Sequence, residues 1–270
     1  MKPRLHILLA KDSPQAIVIR RGPSDHIAVI GWDRRTDTFT VGQWLKGNIY
    51  HFRSDISPNG NNWIYFAMKK GKPFTAVART PYLKAEDFYA QCDTWDGGGL
   101  FLDNDSYWLN GTLDYTLYEK HEKTTSFRVT SEWPGRGVTR INGGPGVYFL
   151  RLLRDGWMNI CGDTDWQPHN TFRFAKPAGE LWTLIKTFHS TMQPPAGRGC
   201  YYEEHTLYNN STGLIIDMPD WEWADTDSDR LVWAAQGNVM AGFMDEHGIR
   251  DVSLLFDTAP LTFTELSAPY

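Results

Sequence analysis

The chain has 270 residues, a formal net charge of −5 and 14% aromatic residues. This length can bury a large core, while the absence of a basic block and of a long apolar run argues against nucleic-acid binding and against a membrane span. Cys92, Cys161 and Cys200 lie far apart without CxxC spacing, so they indicate neither a disulfide framework nor a zinc site.

The first ten residues do not read as a secretory signal. Lys2 and Arg4 precede a short apolar run that His6 interrupts, whereas a signal peptide needs a longer uninterrupted apolar core and a small-residue cleavage site. The sequence therefore predicts a soluble, cytoplasmic protein, with no cofactor and no resident metal.

Short β-prone segments between turn signals fill most of the chain. A first set comprises residues 5–10, 16–20, 26–32 and 38–44, and a second comprises 50–53, 63–68 and 75–79. A third set comprises 99–102, 106–109, 115–119 and 126–130, and a fourth comprises 147–153, 157–161, 171–175 and 182–188. The remainder comprises 201–208, 213–218, 220–225, 230–235, 238–243 and 252–256.

Helix signals are sparse. Residues 83–90 and 179–190 have apolar spacing that fits short helices, although the second segment also alternates and could equally be an outer strand.

One turn motif is specific. Asp55-Ile-Ser-Pro-Asn-Gly60 combines side chains that bond nearby backbone with residues that tolerate a tight reversal, and the aromatic strand Trp63-Ile-Tyr-Phe66 follows it. This motif resembles the blade turn of TolB-type and WD40-like β-propellers, and the chain as a whole resembles bacterial propeller proteins of unassigned role. The resemblance implies an architecture and carries no catalytic residue onto this chain.

The strand pattern restarts near residues 5, 50, 97, 147 and 200. An interval of about 50 residues is typical of a four-stranded propeller blade. We therefore predict an all-β fold, a single β-propeller domain over residues 1–270 with about five blades. Six blades or a two-sheet sandwich are the alternatives. A strand at 262–270 is expected to pair with the first sheet and so to remove an exposed edge.

Acidic and aromatic residues supply the candidate sites. Carboxylates beside aromatic rings suit glycoside hydrolysis, which needs one acid, one base or nucleophile and a stacking surface. Simple alternation along strands explains the same pattern without any chemistry. The candidate acids are Asp55, Asp96, Glu204 and Glu222. The candidate ligand-binding residues are Trp95, Tyr202, Trp221, Trp223 and two histidines near blade starts, His51 and His205.

The Asp-rich loops do not form a calcium motif. Asp225-Thr-Asp-Ser-Asp229 opens like an EF-hand loop, but Arg230 stands at the sixth position and Gln236 at the twelfth. Ordinary turn chemistry explains this loop and those at 103–105 and 163–165.

Two functions fit these observations. The favoured one is a non-catalytic binding or scaffold propeller that presents an aromatic-rimmed funnel to a protein, peptide or glycan. The alternative is a glycan-active hydrolase whose carboxylates converge at a central channel. The oligomeric state stays open.

Overall fold

The computed structural model describes residues 2–111, 121–135, 144–161 and 171–270. These residues fall into two compact units. Unit 1 comprises His6–Arg151 and Leu261–Tyr270, and unit 2 comprises Lys2–Leu5 and Leu152–Pro260. The predicted single domain over the whole chain stays a prediction.

Sheet A is the predicted four-strand meander. Its strands pair antiparallel in chain order, and the inner positions of the second and third strands are almost wholly apolar, which suits a sheet buried on both faces. The strands are β1 (Arg4–Leu9), β2 (Gln15–Arg21), β3 (His26–Asp33) and β4 (Thr38–Lys46).

Sheet B forms around the sequence turn motif. Ser57 Oγ accepts a hydrogen bond from the Asn62 backbone N–H at 3.0 Å, and Gly60 has a φ of +77°, which favours glycine. The strand order is β12-β9-β8-β7-β5, with β6 also paired to β7. The strands are β5 (Asn48–Ile49), β6 (Asp55–Ile56), β7 (Asn62–Lys69), β8 (Lys72–Arg79), β9 (Ala85–Ala90) and β12 (His121–Lys123).

Sheet C has three described strands. The antiparallel pair β10 (Gly99–Asp103) and β11 (Ser106–Leu109) is extended by β13 (Arg128–Thr130), which runs parallel to β11. The strand predicted at 115–119 lies outside the described residues.

Unit 1 is built in layers because alternate residues of β7 face opposite ways. Trp63 and Tyr65 pack with residues of sheet A, whereas Ile64 packs with Phe101 of sheet C. Strand β7 of sheet B is therefore buried on both faces. The other face of sheet C packs Trp108 against Val147 and Leu150.

Val147 and Leu150 belong to helix α1 (Gly144–Arg154), so the strand predicted at 147–153 was wrong. A short apolar run cannot be assigned to helix or strand by periodicity alone. Here apolar residues three positions apart meet sheet C on one helix face, and Pro145 stands in the first turn, where proline is tolerated.

Unit 2 contains two sheets. Sheet D has the order β14-β15-β16-β17-β18 and sheet E the order β19-β20-β21-β22. Sheet D comprises β14 (Met158–Cys161), β15 (Thr171–Pro177), β16 (Trp182–Ser190), β17 (Tyr201–Asn209) and β18 (Ile215–Asp217). Sheet E comprises β19 (Trp221–Asp227), β20 (Arg230–Ala235), β21 (Asn238–Asp245) and β22 (Gly248–Asp257).

Three local predictions change. The helix predicted at 83–90 is strand β9, whose Asp87 and Tyr89 are buried at a period of two, as pairing with β8 and β12 requires. The ambiguous segment 179–190 contains strand β16, the alternative that alternation favoured. Residues His51–Arg53 form a 3₁₀ turn, η1, where a strand was predicted.

The predicted closing strand at 262–270 was also wrong, because these residues form no strand and none of them pairs with sheet A, whose described strands are β1 to β4. They lie along unit 1 through side-chain contacts. The Phe263 ring lies 4.8 Å from the His26 ring, and the Gln43 side-chain amide donates to the Leu266 carbonyl at 2.8 Å. We call Leu261–Tyr270 the tail.

The predicted fold class is confirmed. The described residues form an all-β fold of five sheets, the number in a five-bladed β-propeller, although β12 of sheet B lies between β11 and β13 of sheet C in the sequence.

Candidate functional site

The residues predicted from sequence divide between the two units. Unit 1 contains His51, Asp55, Trp95 and Asp96. Unit 2 contains Tyr202, Glu204, His205, Trp221, Glu222 and Trp223.

Three of the four predicted acids have structural partners. Asp55 is fully buried, and its Oδ2 accepts from the Phe101 backbone N–H at 2.8 Å, which ties β6 to β10. Glu222 Oε2 accepts from the Leu5 backbone N–H at 2.7 Å, and Glu204 Oε2 lies 2.8 Å from His189 Nε2. Asp96 is half-buried in the loop before β10. These contacts give the hydrolase hypothesis no support.

The predicted aromatic rim does not form as a set. Trp95 is 76% exposed, but Trp221 and Trp223 are 6% and 3% exposed and pack inside unit 2. The Trp221 ring stacks on the Trp233 ring with 4.9 Å between centroids. This arrangement is favourable because it removes a large apolar surface from water. The Tyr202 ring stacks on the His189 ring, on the face of β17 opposite to the buried Glu203 and His205.

A cluster of ionisable side chains occupies the buried face of sheet D. Lys186 and Glu203 are each 1% exposed in their side chains, and Lys186 Nζ lies 3.4 Å from Glu203 Oε1. Lys186 Nζ also lies 4.8 Å from the Trp157 ring centroid and 5.9 Å from that of Trp223. The ammonium is thus held by one carboxylate and two indole faces, an environment in which a buried charge is tolerated.

His205 lies directly opposite Lys186 in the β16–β17 register. Its pKa lies well below the ordinary histidine value because it is buried, with Lys186 and Arg198 adding positive charge, and a contact to the Trp221 backbone only partly offsets this. Neither ring nitrogen makes a well-aligned hydrogen bond. His205 is therefore a neutral, interior histidine.

His51 belongs to a second buried cluster, in unit 1. Its ring lies 4.5 Å from that of His6, and burial, followed by the charges of Arg21 and Arg151, lowers its pKa well below the ordinary value. Arg151 Nη2 lies 2.8 Å from His6 Nε2, which must accept because a guanidinium only donates. Arg151 Nη1 also donates to the carbonyls of His51 and Ser54. This cluster joins α1, η1 and β1.

An open groove of about 560 Å³ lies in unit 1 between the outer strand of sheet A and the β7–β9 part of sheet B. We call it the lysine-rimmed groove. Its floor is aromatic and aliphatic, with Phe74 5.2 Å from Phe88 and 6.1 Å from Tyr65 between ring centroids. The floor comprises Trp44, Leu45, Tyr65, Phe74, Leu83 and Phe88, and the rim carries Lys69, Lys70, Lys72 and Lys84.

The rim is fixed by a tight hairpin. Lys69 pairs with Lys72 across a two-residue turn in which Lys70 and Gly71 have φ values of +51° and +75°. Such a turn matches the right-handed twist of the two flanking strands. Within the described chain Lys69, Lys70 and Lys72 form no ion pair, and no acidic residue lines the groove.

Sequence reasoning missed this groove. The only local signal is Lys69-Lys-Gly-Lys72, because the floor comes from β4, β7, β8 and β9 and forms only after the sheets pack.

The described residues contain no cluster of three or more His, Cys, Asp or Glu side chains placed to hold a metal ion. Asp103 Oδ1 instead accepts from the Asp105 backbone N–H at 2.7 Å, as in an Asx turn. Cys92 and Cys200 are exposed thiols. Of the helices that can be described, none has the length and apolar character needed to cross a bilayer.

Comparisons with known proteins add little. No protein-family model matches the chain, and no curated protein matches it. Among solved structures, hydrazine synthase of Kuenenia stuttgartiensis aligns over 90% of this chain and 77% of that chain, with 11% sequence identity and a TM-score of 0.30. A likeness this low carries no argument about function. The class defined here is an all-β protein with the five sheets of a propeller, a fold compatible with binding in general, and the TolB or WD40 type stays a prediction.

Proposed function

We propose that the chain is a binding module whose lysine-rimmed groove takes an extended acidic segment of a partner protein, anchored by one apolar or aromatic side chain. The observation that carries this proposal is the combination, among the described residues of one groove, of an apolar floor with the exposed lysines 69, 70 and 72 and no acidic side chain.

The floor supplies affinity. Burying a Phe or Leu side chain contributes about 1.5–3 kcal/mol, and the partly buried rings of Phe74 and Phe88 offer a surface for such an anchor. The groove volume of about 560 Å³ fits side chains of a short segment.

The rim supplies selectivity and speed of association. Lys69, Lys70 and Lys72 are exposed, so each ion pair with a ligand contributes only about 0.2–1 kcal/mol and weakens with salt. The Lys84 ammonium is already held by the ring and main-chain oxygen of Tyr270. The joint field of the exposed lysines attracts negative ligands and raises the association rate. Binding is therefore expected to be moderate in strength and sensitive to ionic strength.

A polypeptide is favoured over nucleic acid because the groove carries only a short cluster of cations on a chain of net charge −5. A neutral glycan has no charge with which to pair the exposed lysines of the rim. An acidic glycan shares the charge but lacks an apolar side chain for the floor.

The test is fluorescence anisotropy with a labelled ten-residue probe of Asp and Glu containing one central Phe. A probe with Ser in place of Phe measures the contribution of the apolar anchor to binding. A probe with Lys in place of the acids measures the contribution of the negative charge. We expect the Phe probe to bind, the Ser probe to bind about tenfold more weakly, and the Lys probe not to bind.

The variant Lys69→Glu/Lys72→Glu should weaken the Phe probe about tenfold or more. Its matched control is Lys11→Glu/Arg35→Glu, which makes the same charge change at exposed cations of unit 1 outside the groove. If both variants lost affinity for the probe equally, the effect would come from the net charge of the protein and not from the groove, and the proposal would be overturned. Binding of heparin fragments without binding of the acidic probe would overturn it in favour of an acidic glycan.

A further inference from the structure

A second cavity of about 700 Å³ lies in unit 1 and differs from the lysine-rimmed groove in character. It is lined mainly by amide, hydroxyl and aromatic groups, and the tail forms one wall. We call it the Tyr270 cleft. The lining residues that carry the argument are Asn61, Asn62, Arg79, Tyr82, Glu86 and Tyr270.

The tail wall is firmly placed. The Tyr270 hydroxyl accepts from the Arg79 backbone N–H at 3.0 Å and donates to the Lys84 carbonyl at 2.9 Å. The Arg79 guanidinium lies 4.5 Å and the Lys84 ammonium 5.0 Å from the Tyr270 ring centroid. Partial burial raises the Tyr270 pKa, so the hydroxyl keeps its proton as a donor. These contacts fix Tyr270 as one wall of the cleft.

The charges of the cleft cancel. Arg79 donates from Nε and Nη2 to Glu86 Oε1 at 3.1 Å and 2.8 Å, and among the described residues that line the cleft these two carry the charged side chains. A ligand gains nothing here from a net charge of either sign. The lysine-rimmed groove, whose described lining carries exposed lysines and no acidic side chain, instead favours negatively charged ligands.

Several polar groups of the cleft are open to a ligand. The side-chain amides of Asn61 and Asn62 make no hydrogen bond to any residue that the structure describes, and both hydrogen bonds of Glu86 to Arg79 use Oε1, which leaves Oε2. Amides both donate and accept, and a carboxylate accepts, so together they match ligand hydroxyls that do both. The Tyr82 ring, set edge-on to Tyr270 at 6.0 Å, adds an apolar surface.

We propose that the Tyr270 cleft binds a neutral saccharide of one or two rings. A saccharide presents adjacent hydroxyls for the amides and carboxylate and a C–H face for Tyr82. The volume lies within the range of about 300–1,000 Å³ that small-molecule sites occupy. This site is separate in its residues from the groove assigned to an acidic peptide.

The test is saturation-transfer difference NMR on the intact protein with maltose, cellobiose, lactose and N,N′-diacetylchitobiose as probes, each at millimolar concentration. We expect at least one of them to give transfer, and we expect glucuronic acid and glucosamine to give none. Titration of the binding probe then measures its affinity in the variants.

Asn61→Ala and Glu86→Gln should each weaken that affinity about tenfold, because each removes a group the hydroxyls use. Asn48→Ala is the matched control, an exposed asparagine of unit 1 outside the cleft, and should stay within about twofold. Tyr270→Phe, which keeps the ring and removes the hydroxyl, guards against loss of fold and should weaken binding less than Asn61→Ala.

Absence of transfer from all four disaccharides would overturn the proposal. So would transfer that Asn61→Ala and Glu86→Gln leave unchanged. Lys69→Glu/Lys72→Glu should leave saccharide binding intact while it weakens binding of the acidic peptide, so the two proposals can fail independently.

Discussion

Arg151 Nη2 and His6 Nε2 lie 2.8 Å apart in the buried part of unit 1, although 145 positions separate these residues in the sequence. The same guanidinium donates to the His51 and Ser54 carbonyls, so one side chain fixes α1 against η1 and β1.

Arg151→Ala should destabilise the protein by about 2–4 kcal/mol, because two buried carbonyls and one imidazole nitrogen lose a charged donor. Urea unfolding followed by tryptophan fluorescence measures this loss. Arg35→Ala, at an exposed arginine of the same unit, should change stability by less than about 0.5 kcal/mol. A similar result for both variants would show that the Arg151 cluster does not stabilise unit 1.

The stability should fall as the pH drops below about 6.5. His51 and His205 have folded-state pKa values well below the ordinary value, so the unfolded chain binds more protons than the folded one in that window. Stability is full above the unfolded pKa and is lost as the pH falls toward the folded pKa, by up to about 1.4 kcal/mol per pH unit for each histidine. The measurement is the free energy of unfolding between neutral pH and about pH 5.5.

His51→Gln and His205→Gln should each flatten this pH dependence, and the double variant should remove most of it. His247→Gln is the control, since that histidine is exposed. A wild-type protein equally stable across the window would contradict the prediction.

Trp63→Ala should cost about 3–5 kcal/mol. The Trp63 ring is fully buried, stacks on Tyr65 at 4.3 Å and donates from Nε1 to the Tyr82 carbonyl at 2.8 Å. Trp95→Ala removes the same side chain where it is 76% exposed and should cost less than about 0.5 kcal/mol. Thermal unfolding of the pair checks both, and equal midpoints would refute the burial of Trp63.

Lys186→Met should destabilise the protein by about 3–5 kcal/mol, because the Glu203 carboxylate stays in the core without its ammonium partner. The double variant Lys186→Met/Glu203→Leu should recover part of the loss, since both charges are then replaced by apolar groups. A double-mutant cycle in urea should give a coupling energy of about 0.5–3 kcal/mol. Additive losses would mean that the two charges do not stabilise each other.

Local rules were sufficient for part of the fold. The Asp55–Gly60 turn and the alternating strands β16 and β17 follow from turn chemistry and from a period of two, which act over a few residues. Helix α1 did not follow, because its short apolar run fits both periods and only packing against Trp108 of sheet C decides between them.

The candidate sites depended more on packing than on pattern. The sequence pattern predicts that Trp221 and Trp223 are exposed. In the structure both are buried, because Trp221 packs on Trp233 and Trp223 packs near Lys186, residues from other strands. The lysine-rimmed groove and the Tyr270 cleft each gather residues from several strands, and the cleft also needs the tail. The residues of each site are too far apart in the sequence for a local pattern to reveal them, whereas all the residues of a turn are neighbours.

Residues 6–151 and the tail belong to one compact unit, although the whole of 152–260 is translated between them. On the ribosome, unit 1 can therefore collapse early around its sheets but must wait for the intervening segment before Phe263 reaches His26 and Tyr270 reaches Arg79. Until then the Tyr270 cleft lacks a wall while the lysine-rimmed groove keeps its floor, so a nascent chain would acquire its two sites at different times.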